Sequence, residues 1–179
     1  MNEVDELLAA ASELHNELAP LIFSKVPRPV AVLAVRMMVH LGEGTMGGSA
    51  RDAYLAARGM FYQQVNETMR RLGKAPIPGD GAISVPDTCG DDLEPEQLAE
   101  RAGSLAQELQ MLLVGSGHAM EVGLLACAAM VHMGERILKL DGDDGPARFK
   151  RYQLAFKCVL EEADAGLIAE NVPKDQGGN

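Results

Sequence analysis

The chain has 179 residues, of which 47% are apolar, so its composition is that of a globular protein and not of a disordered one. Its formal net charge is −10, which argues against binding to nucleic-acid phosphates or to an anionic membrane surface. Three cysteines, with no export signal and no apolar run long enough for a membrane span, indicate reduced thiols and a cytoplasmic location.

Apolar residues recur at helical spacing in six segments, separated by Pro- and Gly-rich breaks. The predicted helices cover, in chain order, 3–24, 29–42, 50–72, a fourth segment that begins at Pro95, 118–140 and 146–167. Pro20 is expected to kink or shorten the first helix, and Gly42 to cap the second. The second helix is apolar on almost every side, which predicts a central position among the others.

An internal repeat is the most informative feature of the sequence. Val30–Glu43 and Val122–Glu135 are identical at eight of fourteen positions, and Ala11–Ile22 matches Ala102–Leu113 at five of twelve. The repeat predicts an all-α fold of two three-helix units, packed face to face with approximate two-fold symmetry, because one such unit has only a marginal core. The predicted units are residues 1–73 and 94–170, joined by a Pro/Gly-rich linker at 74–93 and followed by a mobile tail at 171–179.

The repeat also duplicates polar residues, which are the candidates for a functional site. The duplicated pairs are Glu17 with Glu108, His40 with His132, and Glu43 with Glu135. Four carboxylates and two imidazoles from four helices are the ligand inventory of a dimetal site in a helical bundle, and they suit iron or manganese. Here, however, the motif is His-x-x-Glu instead of Glu-x-x-His, and a glycine precedes each Glu.

A structural role for these residues is the stronger interpretation. A histidine late in a buried helix can hydrogen-bond the preceding helix, and Val-His-x-Gly-Glu then becomes a duplicated helix-ending motif. Arg36 has no counterpart in the second unit, where Ala128 stands, and it needs an acidic partner such as Glu17 or Glu43.

No nucleotide-binding, nucleophile or zinc motif is present in the sequence, and an enzymatic role is not favoured. We therefore expect a non-enzymatic interaction or regulatory protein, which binds a protein partner or a second copy of itself through Met/Ala-rich helix faces. An apolar stripe on the third or sixth helix is expected to stay exposed. The alternatives are a dimetal oxidoreductase or metal-binding bundle and, more weakly, a small-ligand binder with a pocket between the two units.

Overall fold

The computed structural model describes residues 2–72, 93–140 and 142–171, and these residues form six helices that pack together, with no strand among them. The helices are α1 (Glu3–Phe23), α2 (Arg28–Thr45), α3 (Gly48–Leu72), α4 (Pro95–Gly115), α5 (Met120–Leu140) and α6 (Gly145–Asn171). This confirms the predicted all-α class. No described helix combines the length and apolar character needed to cross a membrane. The predicted linker, apart from Leu93, and the predicted tail beyond Asn171 lie outside the described residues.

The helix starts follow ordinary capping chemistry. Asn2 caps α1, because its side-chain oxygen accepts a hydrogen bond from the backbone N–H of Asp5 at 2.9 Å. Pro95 occupies the first turn of α4, where a missing N–H costs nothing, and the Gln97 side chain accepts from the backbone of Glu94 at 3.0 Å. Pro20 lies inside the last turn of α1, which continues to Phe23, so the helix ends close to its predicted position.

Two helices, α2 and α5, form the centre of the bundle and pack extensively against each other. Residues 29–35 of α2 and 122–131 of α5 are all buried. The two helices run antiparallel, because Gly42 lies against Leu124 at one end of the contact and Gly134 lies against Val32 at the other. This central position agrees with the prediction from the apolar character of the second helix.

The prediction that Gly42 ends its helix is wrong. The helix continues to Thr45, and α5 likewise continues past Gly134 to Leu140, so the repeated Val-His-x-Gly-Glu motif lies within both helices. The glycines have a packing role: a Cβ atom on Gly134 would stand 2.5 Å from Cγ2 of Val32, and one on Gly42 would overlap the side chain of Leu124. Each glycine thus lets a side chain of the opposite helix approach the backbone closely.

The outer helices pack across the two halves of the chain. The first helix, α1, packs mainly against α5 and α3 and only marginally against α2, while α4 packs mainly against α2 and α6. The third helix contacts α5, and α6 contacts both α2 and α5. The C-terminal half of α2 is only partly covered, because its side chains are intermediate or exposed from Arg36 onward.

Candidate functional site

The partly covered half of α2 faces polar and aromatic side chains from α3, α5 and α6. We call six side chains the polar cluster: Arg36 and Glu43 of α2, Tyr54 and Arg58 of α3, Glu135 of α5 and Tyr152 of α6. Two of the predicted site residues, Glu43 and Glu135, are its carboxylates, and the predicted histidines His40 and His132 lie beside it in the same helices.

Glu135 of α5 joins three helices. Its Oε1 accepts a hydrogen bond from the Tyr152 hydroxyl of α6 at 2.6 Å and one from Nη1 of Arg36 in α2, also at 2.6 Å. The Arg36 guanidinium lies 4.0 Å from the centre of the Phe156 ring, so it also makes a cation–π contact with α6. Neither acidic partner predicted for Arg36, Glu17 or Glu43, binds it, because the antiparallel packing brings Glu135 to it instead.

Glu43 of α2 has equivalent partners, all supplied by α3. Its Oε1 accepts from the Tyr54 hydroxyl at 2.6 Å and from Nη1 of Arg58. Each carboxylate of the polar cluster therefore has one tyrosine and one arginine. The four charged side chains are between 26% and 32% exposed, so both ion pairs are shielded from solvent but not sealed from it.

The tyrosines of the polar cluster act as neutral hydrogen-bond donors. Burial, followed by the adjacent Glu43, raises the pKa of Tyr54 far above its ordinary value. Burial and the charge of Glu135 do the same to the pKa of Tyr152. Both phenols therefore keep their protons at physiological pH and donate them to the carboxylates, which satisfies hydroxyl groups that would otherwise be buried without partners.

His132 stacks on Tyr62 of α3, with ring centroids 4.1 Å apart. Its Nε2 atom is buried without a hydrogen-bond partner, and burial, together with Arg136, lowers its pKa. His40 is exposed and presents a ring contact to Phe156 of α6, at a centroid distance of 5.8 Å. The two histidines thus contact α3 and α6, whereas the sequence interpretation placed their partners on the preceding helices.

Glu17 and Glu108 lie on α1 and α4, outside the polar cluster, and both are exposed. Glu108 pairs with Nζ of Lys25 at 3.0 Å on the surface. Within the described ranges, which include all six predicted ligands, no group of three or more His, Cys, Asp or Glu side chains is placed to hold a metal ion. The dimetal interpretation therefore gains no support from this geometry and stays a prediction.

Sequence analysis missed the tyrosines and Arg58 of the polar cluster. Tyr54 and Tyr152 lie among the apolar residues of their helices, and both are buried, at 1% and 0% exposure. Hydrogen-bonding chemistry could have indicated these residues. A buried tyrosine needs a partner for its hydroxyl group, and the repeated Glu43 and Glu135 are acceptors that could provide one.

A second feature is a set of exposed apolar side chains at one end of the bundle. We call this set the apolar surface. It is formed by the end of α2, the end of α4 and the start of α5, and its members are Leu41, Met111, Leu112, Val114 and Met120. Val114 is 77% exposed and Met111 is 74% exposed. A cavity of about 390 Å³ opens among these three helix ends, and none of its lining residues carries a formal charge apart from titratable His118. Leu55 and Met60 on α3 and Leu154 on α6 are exposed too, but less than Val114 and Met111.

No protein-family model, curated protein or solved structure matches this chain.

Proposed function

We propose that the protein is a non-enzymatic interaction protein that binds an amphipathic helix of a partner protein at the apolar surface. The observation that carries the proposal is the exposure of Val114, which lines a cavity without Asp, Glu, Lys or Arg between helix ends, and of Met111, three residues before it in α4. Contiguous exposed apolar groups of this kind mark interaction sites in soluble proteins. A groove between helices is the usual receptor for the apolar face of a partner helix.

Methionine supports an adaptable surface. Met38 and Met120 line the cavity, and the exposed Met111 precedes the lining residue Val114 by three positions in α4. The methionine side chain is unbranched and polarisable, so it can adjust to partner side chains of different shape. Such a surface fits leucine, isoleucine or phenylalanine anchors presented at helical spacing.

The charge of the chain favours a basic partner over a second copy. The net charge is −10, so two copies would repel each other at long range. Of the helices that supply the apolar surface, α4 is acidic, with Glu96, Glu100 and Glu108 against one arginine, and Glu121 follows Met120 at the start of α5. We therefore commit to a partner helix whose apolar anchors are flanked by lysine or arginine.

The test uses a fluorescent amphipathic peptide of leucine and lysine and a matched peptide of leucine and glutamate. We expect saturable binding of the lysine peptide, and Val114→Glu should weaken it by about tenfold or more, because the new charge would be desolvated in the contact. Leu154→Glu is the matched control, since Leu154 is an exposed leucine on α6, distant in sequence from the apolar surface. It adds the same charge and should leave the affinity nearly unchanged.

Two results would overturn the proposal. The first is equal weakening by Val114→Glu and Leu154→Glu, which would show that binding does not depend on the apolar surface. The second is a concentration-dependent dimer in sedimentation experiments that Val114→Glu abolishes, because a second copy would then be the natural occupant of the apolar surface.

We also infer that the chain arose by duplication of a three-helix unit. The close contacts of the central helices support this: Gly42 meets Leu124 and Gly134 meets Val32, and both the glycines and their partners are separated by the repeat offset. The packing of α1 on α5 corresponds in the same way to the packing of α4 on α2, because the repeat matches α1 with α4 and α2 with α5. The test is the structure of a related protein that has only one three-helix unit. The inference predicts that such a protein forms a dimer through its second helix.

A cytoplasmic location remains our proposal. Of the cysteines within the described residues, Cys127 and Cys158 form no disulfide. Burial raises the pKa of Cys127 to about 12, so this thiol is not a nucleophile at neutral pH. The dimetal alternative is tested by elemental analysis of the purified protein, where about two iron or manganese ions per chain would favour it.

A further inference from the structure

A second cavity, of about 310 Å³, lies between α1, α3 and α5 and is separate from the apolar surface. Most of its wall is apolar, and the larger apolar side chains are Leu8, Phe61, Leu125 and Met133. One side of α1 adds three polar residues, Ser12, His15 and Asn16. An apolar cavity with a few polar groups gathered on one wall is the usual construction of a small-molecule site.

The polar wall has a defined hydrogen-bonding character. Nδ1 of His15 lies 3.4 Å from Oδ1 of Asn16, and the tautomer with its proton on Nδ1 donates to this oxygen. In a neutral imidazole Nε2 is then the acceptor, and burial favours the neutral form because it lowers the pKa of His15. The Ser12 hydroxyl already donates to the backbone oxygen of Leu8 at 2.8 Å. The imidazole therefore offers a lone pair to a ligand.

We propose that this cavity binds a small uncharged aromatic molecule that donates one N–H or O–H group to Nε2 of His15. None of the lining residues is Asp, Glu, Lys or Arg, so a charged ligand would lose its hydration without gaining a counter-ion. Phe61 and Met133 provide ring–ring and sulfur–ring contacts. The volume lies at the small end of ligand cavities, which suits one ring or two fused rings.

This inference does not rest on the proposed docking function, because the two cavities share no lining residue. The probe is indole, and the matched compound is indene, which has nearly the same shape but no N–H donor. Binding is measured by calorimetry and by NMR of the methionine methyl groups and the histidine rings in the full chain. Indole should shift the Met133 methyl and the His15 ring resonances, and it should bind about tenfold more tightly than indene.

Two substitutions of His15 separate the hydrogen bond from the shape of the cavity. His15→Leu should reduce indole affinity to that of indene, and His15→Gln, which retains an acceptor oxygen, should recover part of it. Val114→Glu should bind indole like the wild type. Equal affinity for indole and indene in the wild type, no effect of His15→Leu, or shifts confined to Met111 and Met120 would each overturn the proposal. Absence of saturable binding of either compound would overturn it as well.

Discussion

At the scale of single residues, the two ion pairs of the polar cluster differ in the helix that supplies the arginine: α3 for Glu43 and α2 for Glu135. Arg58 follows Tyr54 by one helical turn in α3, whereas Phe156 stands one turn after Tyr152 in α6. The cation that binds Glu135 is Arg36 from α2, which also lies over the Phe156 ring. Arg36 aligns with Ala128 in the sequence repeat, and both arginines come from the first half of the chain, while each carboxylate binds one arginine and one tyrosine.

His132 provides a pH prediction. Its folded-state pKa is lowered from the ordinary 6.5 by burial and by Arg136, so below about pH 6.5 the unfolded chain binds more protons than the folded one. Stability contributed by neutral His132 is therefore present above pH 6.5 and is lost as the pH falls toward the folded-state value. The melting temperature of the wild type should fall more steeply between about pH 7.5 and pH 5.5 than that of His132→Phe, which keeps a ring against Tyr62.

Circular dichroism melts at several pH values measure both slopes. His118→Gln serves as the control, because it removes an exposed histidine from the connection between α4 and α5 and should retain the wild-type slope. His15 also has a lowered pKa, but it is present in all three proteins and cancels from the comparison. The same slope in His132→Phe as in the wild type would show that the burial of this imidazole has no energetic consequence.

Individual residues were predicted unevenly from the sequence. Duplication of Glu43 and Glu135 was sufficient to single them out, since repetition of a polar residue in an apolar segment is visible without a structure. Their partners were not visible, because Tyr54 and Arg58 are in another helix and Arg36 is brought to Glu135 only by antiparallel packing. A hydrogen-bond partner across helices depends on register, and one sequence does not specify register.

At the scale of helices, the glycines inside α2 and α5 set how closely the central pair can approach. Gly134→Ala should destabilise the protein by about 1–3 kcal/mol, because the added methyl would overlap Val32, which is fully buried and has a stiff branched side chain. For a chain of this size that cost lowers the melting temperature by roughly 2–4 °C per kcal/mol.

Gly44→Ala is the matched control, because Gly44 lies in α2, the other central helix. A Cβ atom at Gly44 would meet nothing within 4 Å, so alanine there should stabilise the protein by about 0.4–1 kcal/mol through its better helix propensity. Urea denaturation of both variants measures the difference. A stabilised Gly134→Ala variant would mean that the central helices do not approach as closely as the contact with Val32 requires.

The helices themselves were largely predictable, and their ends were less so. Apolar periodicity located the six helices found within the described residues, and Pro95 marked the start of α4 correctly. Gly42 was misassigned as a cap because an isolated sequence offers the same signal for a helix end and for a close helix contact. Only Leu124, eighty-two positions later in the chain, distinguishes the two.

At the scale of the whole molecule, the all-α class followed from periodicity, but the pairing of helices did not. An amphipathic helix shows which face it buries without showing which helix covers that face. In the structure α1 is covered mainly by α5 and α3, and α4 mainly by α2 and α6, so each half of the chain depends on the other. The Arg36–Glu135 and Lys25–Glu108 ion pairs also join the two halves.

This cross-packing predicts that neither half folds alone. A fragment ending at Leu72 would expose the buried face of α1 and most of α2, because their main partners α5 and α4 would be missing. A fragment beginning at Leu93 would likewise expose α4 and the fully buried face of α5. Each fragment has the size of a domain with a marginal core, and here each also loses its principal contacts. We expect weak helicity and no cooperative thermal transition for either fragment alone.

Mixing the two fragments in equal amounts should restore the contacts without the segment that connects them. The mixture should gain helical circular dichroism, sediment as a one-to-one complex and melt cooperatively, at a temperature that rises with concentration because the halves now associate as separate molecules. Glu135→Ala in the second fragment should weaken this complex, since it removes the carboxylate that Arg36 of the first fragment binds and leaves the Arg36 charge without its partner. Glu121→Ala, which removes a partly exposed glutamate of the same helix, is the control and should leave complex formation unchanged. A cooperative transition in the first fragment by itself would contradict the prediction, because it would mean that α1, α2 and α3 bury their apolar faces on one another instead of on α4 and α5.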